Sequence, residues 1–206
     1  MPRTRRDLRE ACLAEGMAII ASDGLEKLSL REVARRLGVS HQAPYKHFAS
    51  RDHILAEMVS RAFDAFAAFL DAHPKSEDPD QDMANMAEDY LRYAREHPLE
   101  YRLMFGTPLP DGEAFPEMMA KAKHAFSLLV SGLKRRAQLK GRERSDEAVL
   151  LDALVIWSSL HGLASVKSSS VIRTLDLPAA LIEGSDAHMI HSFSAMITSA
   201  DAQSMD

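Results

Sequence analysis

Within seven positions the chain sets His41, Gln42, Ala43, Pro44, Tyr45, Lys46 and His47, a group suited to recognition and not to bond-breaking. A glutamine carboxamide meets the edge of adenine through two hydrogen bonds, and an imidazole also reaches base edges, so His41 and Gln42 are the candidates for reading bases. Tyr45, Lys46 and His47 suit phosphate oxygens, as do Ser29 and Arg31 upstream. Backbone N–H groups at helix starts add affinity for anions. His47 has a second reading, a structural hydrogen bond inside its own domain.

Two short helices are needed to hold these side chains. Ser29 is placed to cap the first, with Glu32 as its capping-box partner. Leu30, Val33, Ala34 and Leu37 form one apolar face. Gly38 suits a left-handed helix end, and Val39 points into the angle between the helices. Ser40 can cap a second helix from His41 to about Phe48. Tyr45 and Phe48 are spaced to bury part of it, while His41, Gln42, Ala43 and Lys46 look outward. An angled pair of this kind is a helix-turn-helix, which can lay its second helix in the major groove of double-stranded DNA. Pro44 costs little in the first turn and a half, where N–H groups lack intrahelical partners. It either starts the helix or offers apolar surface to a thymine methyl.

Charge is distributed in keeping with that reading. The whole chain carries 25 basic and 30 acidic residues, net -5. Residues 1–50 hold nine Lys/Arg against six Asp/Glu, net +3, and the remainder sixteen against twenty-four, net -8. A basic segment on an acidic body fits a DNA-binding head on a body that does not touch phosphate. Arg3, Arg5 and Arg6 form either an arm toward the adjacent groove or backbone, or a solvated tail.

Enzymatic and metal chemistry find little support. There is no Gly-rich phosphate loop, nucleophile elbow or His-Glu-x-x-His. His188 and His191, with Asp186 nearby, are too few to hold a metal on an exposed helix. Cys12 is the single cysteine, which excludes a disulfide framework, and it reads as a packed thiol. No uninterrupted apolar run approaches the ~18 residues of a membrane span. The charged N-terminus lacks a signal-peptide core, so a soluble cytoplasmic protein without cofactor is expected.

Periodicity predicts an all-α fold. A first helix covers 5–23, the two short helices follow, and Ser50 caps a fourth that runs to about His73 and connects head to body. Pro74 to Asp80 reads as a linker. Further helices are predicted near 81–96, 99–105, 117–138, 145–166 and 186–200, with a short turn near 177–183. The expected division is a helix-turn-helix domain at 1–50 and a helical bundle at 51–206.

Gly24, Leu28 to Ala34, Leu37-Gly38-Val39-Ser40, Tyr45, His47-Phe48, Arg51-Asp52 and Leu55 together resemble the DNA-binding head of TetR-family transcriptional regulators. That family usually has Lys-Glu at the Arg51-Asp52 position and an aliphatic residue where this chain has Pro44. Trp157, His161 and Gly162 are similar to the Trp-His-Gly signature of one of its C-terminal types, and His97-Pro98 through Met104-Phe105 is similar to that type too. The resemblance implies a homodimeric repressor that places residues 41–47 in the major groove of operator DNA. It also implies that a small molecule in the body changes the head spacing, and that subunits pair through helices near 145–166 and 186–200. Leu150, Leu154, Trp157 and Leu163 cannot all pack inward. Met189, Ile190, Phe193, Met196 and Ile197 make the last helix apolar enough to pair.

Met86, Tyr90, Tyr93, Met104, Phe105, Phe126, Trp157 and His161 lie on helices that could face one another. A soft, aromatic-lined cavity with few polar groups suits a mid-sized, partly apolar effector. The alternative for each of these residues is ordinary core packing.

Overall fold

Helix α1, Arg5–Asp23, presents Cys12, Leu13, Ile19 and Ile20 on one buried face, and the Cys12 thiol is fully enclosed. This computed structural model describes residues 5–203. Arg3, and the side chains of Arg5 and Arg6, lie outside the described residues. Seven α-helices follow: α2 (Leu30–Leu37), α3 (Arg51–Leu70), α4 (Pro79–Glu96), α5 (Pro98–Phe105), α6 (Pro116–Leu139), α7 (Asp146–Ser168) and α8 (Ala179–Gln203). The expected all-α fold is found, with no strand among the described residues.

Contacts divide the chain into two units, one of residues 1–64 and 99–122, the other of 65–98 and 123–206. The division therefore falls inside α3, after the first residue of α5 and inside α6. In the first unit, Leu28, Leu30, Val33, Phe48, Ile54, Leu55, Met58 and Val59 join the α1 face in a single core. Each such side chain withdrawn from water contributes roughly 1.5–3 kcal/mol before conformational entropy is charged against it. Ser50 caps α3 as expected, its Oγ accepting from the His53 N–H at 3.4 Å.

The second unit is held by caps and by ion pairs of two buried side chains, Asp89 with Arg92 and Arg136 with Asp80. Asp78 Oδ1 accepts from the Asp80 and Gln81 N–H groups at 3.0 and 3.3 Å, and Pro79 takes the first position of α4. The presumed linker 74–80 thus ends in a helix start, because a first-turn proline gives up no hydrogen bond. Arg136, 4 % exposed, donates to Asp80 at 2.5 Å. Phe66, Phe69, Tyr90, Tyr93 and His97 form an aromatic cluster with ring centroids 4.5–6.0 Å apart.

Two boundaries differ from expectation. Helix α3 stops at Leu70, before the exposed 71–78 segment. The turn near 177–183 and the last helix are one element, α8, which starts directly after Pro178. Gly184 and Ser185 are tolerated inside it, since one interior glycine costs only about 1 kcal/mol.

Candidate nucleic-acid interface

The first recognition element is α2. Ser29 is extended, and its Oγ accepts from the Glu32 N–H at 3.1 Å. Only this half of the expected capping box forms. The Glu32 carboxylate turns to its own helix, accepting from Arg35 Nε and Nη2 at 2.7 Å each and from Arg36 Nε at 3.0 Å. Charge-assisted bonds to guanidinium outcompete a bond to a neutral backbone N–H. Arg35 first, then Arg36, hold the Glu32 carboxyl down to about 2. Gly38 ends α2 at φ 66°, its N–H bonding to Arg35 O while Val39 N–H reaches Ala34 O. This closure requires a left-handed residue.

The reading segment is shorter than expected. In place of a helix from His41 to Phe48 there is a turn and then one 3-10 turn, Pro44–Lys46. Ala43 N–H bonds to Ser40 O at 2.9 Å, Lys46 N–H to Ala43 O at 3.3 Å, and His47 N–H to Pro44 O at 2.9 Å. The Ser40 side chain caps nothing; the cap position falls on Ala43, whose side chain cannot fill it. So few residues barely repay helix nucleation, and a 3-10 turn needs fewer fixed positions.

Pro44 is fully buried, beside Phe48 at 3 % exposure. It is withdrawn from any thymine methyl, so the initiation role remains, and its ring fills the inward position where an aliphatic residue was the usual choice. Tyr45 was expected to help bury the segment, but it is 49 % exposed. Pro44 and Phe48 anchor the turn, which leaves Tyr45 outside. Ser40, His41, Gln42, Tyr45 and Lys46 share the exposed surface, with Ala43 and His47 half-buried. The His47 ring lies 6.5 Å from that of Phe48.

Electrostatics narrow the set of phosphate ligands. Arg9 pairs with Glu57 at 3.2 Å, Arg61 with Glu57 at 2.9 Å and also with Glu10, and Arg35 and Arg36 with Glu32. Arg31 and Lys46 are exposed and have no carboxylate partner among the described residues. The roles of two residues named from the sequence, Glu32 and Arg51, escaped the sequence reading. Glu32 lies three and four positions before its arginines, a spacing that could have revealed the pairs. Arg51 donates from Nε to Leu28 O and from Nη2 to Leu25 O, each at 3.1 Å. No local pattern predicts those long-range bonds.

The eight residues expected around an effector are not all brought together. Met104 and Phe105 belong to the first unit, where Phe105 packs against Phe63 and Tyr101. In the second unit Tyr90 and Tyr93 are buried in the aromatic cluster. Met86 is buried at a small cavity of about 120 Å³ with Met83, Leu128 and Gly132. Phe126, Trp157 and His161 form a half-buried row, with Phe126–Trp157 and Trp157–His161 centroids 5.9 and 6.3 Å apart. Burial pushes the His161 imidazole below its ordinary value.

Helix α7 buries Val149, Ala153, Ile156, Leu160 and Ala164 and leaves Leu150, Leu151, Leu154 and Val155 about half exposed. It is long and apolar enough to cross a bilayer by length and composition. Counting uninterrupted apolar runs misses this, because Asp152, Ser158 and His161 break the run. On α8 three of the five apolar residues expected to pair, Ile190, Phe193 and Ile197, close on Met83, Ala87 and Ile156 of their own unit, while Met189 and Met196 are half-buried. Its outward side is Leu181, Gly184, Ala187, His188, His191 and Ala195.

Comparisons with known proteins fall along the same lines. Residues 13–58 match the family described as bacterial regulatory proteins, tetR family, and residues 83–184 match the tetracyclin repressor-like C-terminal domain. Over 140 residues, 68 % of this chain, it is 26 % identical to the HTH-type transcriptional regulator TcmR of Streptomyces glaucescens. The match spans only 58 % of that relative's length. It is 25 % identical over 83 % of the chain to the uncharacterized HTH-type regulator Rv0681 of Mycobacterium tuberculosis, covering 75 % of that protein. A solved protein of unknown function from Rhodococcus sp. RHA1 superposes with a TM-score of 0.73 at 26 % identity, covering 92 % of this chain and 93 % of the other.

Proposed function

The chain belongs to the TetR family of DNA-binding transcriptional regulators, and from that premise we propose a dimeric repressor released from its operator by a small, partly apolar effector. One observation carries the reading: a turn anchored from within by Pro44 and Phe48 leaves His41, Gln42, Tyr45 and Lys46 exposed together. His41 and Gln42 read base edges. Tyr45, Lys46, His47, Arg31 and the Ser29 helix start hold phosphates. Ser40 and Ala43 lie close against the groove, and Pro44 shapes the turn from inside. The protein acts in the cytoplasm, where the DNA is, and performs no catalysis of its own.

Subunits pair through α7 and α8. The half-exposed strip Leu150, Leu151, Leu154 and Val155 supports this, since monomers seldom leave contiguous apolar side chains in water. Two-fold pairing buries such a strip against its own copy. The effector is taken up by the second unit, with Phe126, Trp157 and His161 as its half-buried face and Met86, Tyr90 and Tyr93 as supporting core. Met104 and Phe105 remain packing residues of the first unit.

A gel-shift series with duplexes flanking the protein's own gene tests the proposal. A sequence-specific complex whose affinity falls steeply with salt is expected; indifference to every duplex at low ionic strength refutes it. Trp157 is the only tryptophan, so its fluorescence reports effector binding directly.

A further inference from the structure

The structure assigns Arg51 a positioning role in DNA recognition: its guanidinium fixes how the start of α2 meets the DNA backbone. Arg51 is the first residue of α3, yet both its bonds go back to the peptide that leads into α2. Nε and Nη2 donate to the Leu28 and Leu25 carbonyls at 3.1 Å each. These two carbonyls bracket the 3-10 turn Leu25–Lys27, and Leu28 N–H itself bonds to Leu25 O at 3.1 Å. The Leu28 carbonyl shares a peptide plane with the nitrogen of Ser29. Turning that plane turns Ser29, whose Oγ holds the Glu32 N–H and caps α2.

Arg51 also follows Phe48 by three residues, so one side chain joins the end of the reading turn, the start of α3 and the start of α2. Both bonds are spent inside the protein. Nη1 lies 3.5 Å from Asp52, which further weakens any claim of phosphate on this cation. A lysine at this position keeps the charge but has no planar fork to span two carbonyls.

The inference rests on the DNA-binding reading above. Its test compares Arg51→Lys and Arg51→Ala with the unaltered protein on the duplex it prefers and on a random duplex. Salt is varied for both, well below each variant's melting temperature. Both variants should lose about tenfold at the preferred duplex, the effect of two modest hydrogen bonds. The random duplex should lose as much, because the contacts disturbed are to the DNA backbone, and lysine should lose as much as alanine. A slope flattened by alanine and restored by lysine makes Arg51 a phosphate ligand and overturns the assignment. Preferred-duplex affinity equal to the unaltered protein also overturns it, leaving a stability role alone.

Amide hydrogen exchange across residues 28–33 supplies a readout without DNA. Faster exchange in Arg51→Lys is expected, and unchanged protection counts against the assignment. Should Arg51→Ala not fold, Arg51→Lys carries the comparison alone. If the unaltered protein binds no duplex, the DNA-binding reading fails, while exchange still judges the clamp.

Discussion

The reading turn and helix α7 expose side chains for opposite reasons. At the turn the exposed groups are polar, and two buried residues, Pro44 and Phe48, hold them outward. On α7 the exposed groups are aliphatic, and a buried face of the same helix holds them outward. A polar surface is at ease in water until DNA arrives. An aliphatic strip is not, and it needs cover in every working state. On the proposed reading, exposure marks an occasional partner in the first region and a standing one in the second.

The contrast breaks most sharply at Leu154. Leu154→Glu would set carboxylates into a self-complementary interface, where an unpaired buried charge costs several kcal/mol. Light scattering should show monomer, and affinity for the preferred duplex should fall by about a hundredfold; a variant that stays dimeric removes α7 from the interface. Gln42→Ala should cost about 1–3 kcal/mol at the preferred duplex and little at random DNA. If random DNA suffers equally in titrations of both, Gln42 does not read bases.

Tyr45→Ala with Lys46→Ala should weaken all duplexes alike and flatten the salt slope by about 1 per subunit, measured across a salt series. Unchanged affinity takes phosphate contact away from both. Gly38→Ala should lower stability by about 1 kcal/mol in thermal melts, because alanine resists φ 66° even though its methyl would meet no neighbour. The smallest effect concerns pH. The Glu32 carboxyl is held down to about 2, so its pairing is fully present above the ordinary carboxylate range and is lost as pH falls toward 2. An NMR titration of Glu32 with a midpoint near 4.5 contradicts the pairing.

How much could be read in advance follows from the range of the interactions. The helix-turn-helix was legible because Ser29, Gly38 and the apolar spacing of α2 act within a few residues. The form of the reading turn was not, because burial of Pro44 depends on packing against α1 and α2 that the spacing within 41–48 does not encode. For α8 the apolar residues were visible, but not which partner they face: Ile190, Phe193 and Ile197 close on their own unit. The body residues shared an aromatic character, and character alone did not separate Met104 and Phe105 from Trp157 and His161.

On the proposed reading only His41 and Gln42 meet base edges, and this limits what one copy can distinguish. Two neighbouring side chains reach the edges of only a few adjacent base pairs. A stretch that small recurs throughout any chromosome. In the proposed dimer, discrimination among the million or more competing sites comes from two copies acting at a fixed separation. A dimer of that kind would make gene control sensitive to cellular abundance: once dilution separates the copies, the address is lost before any contact with a base has changed.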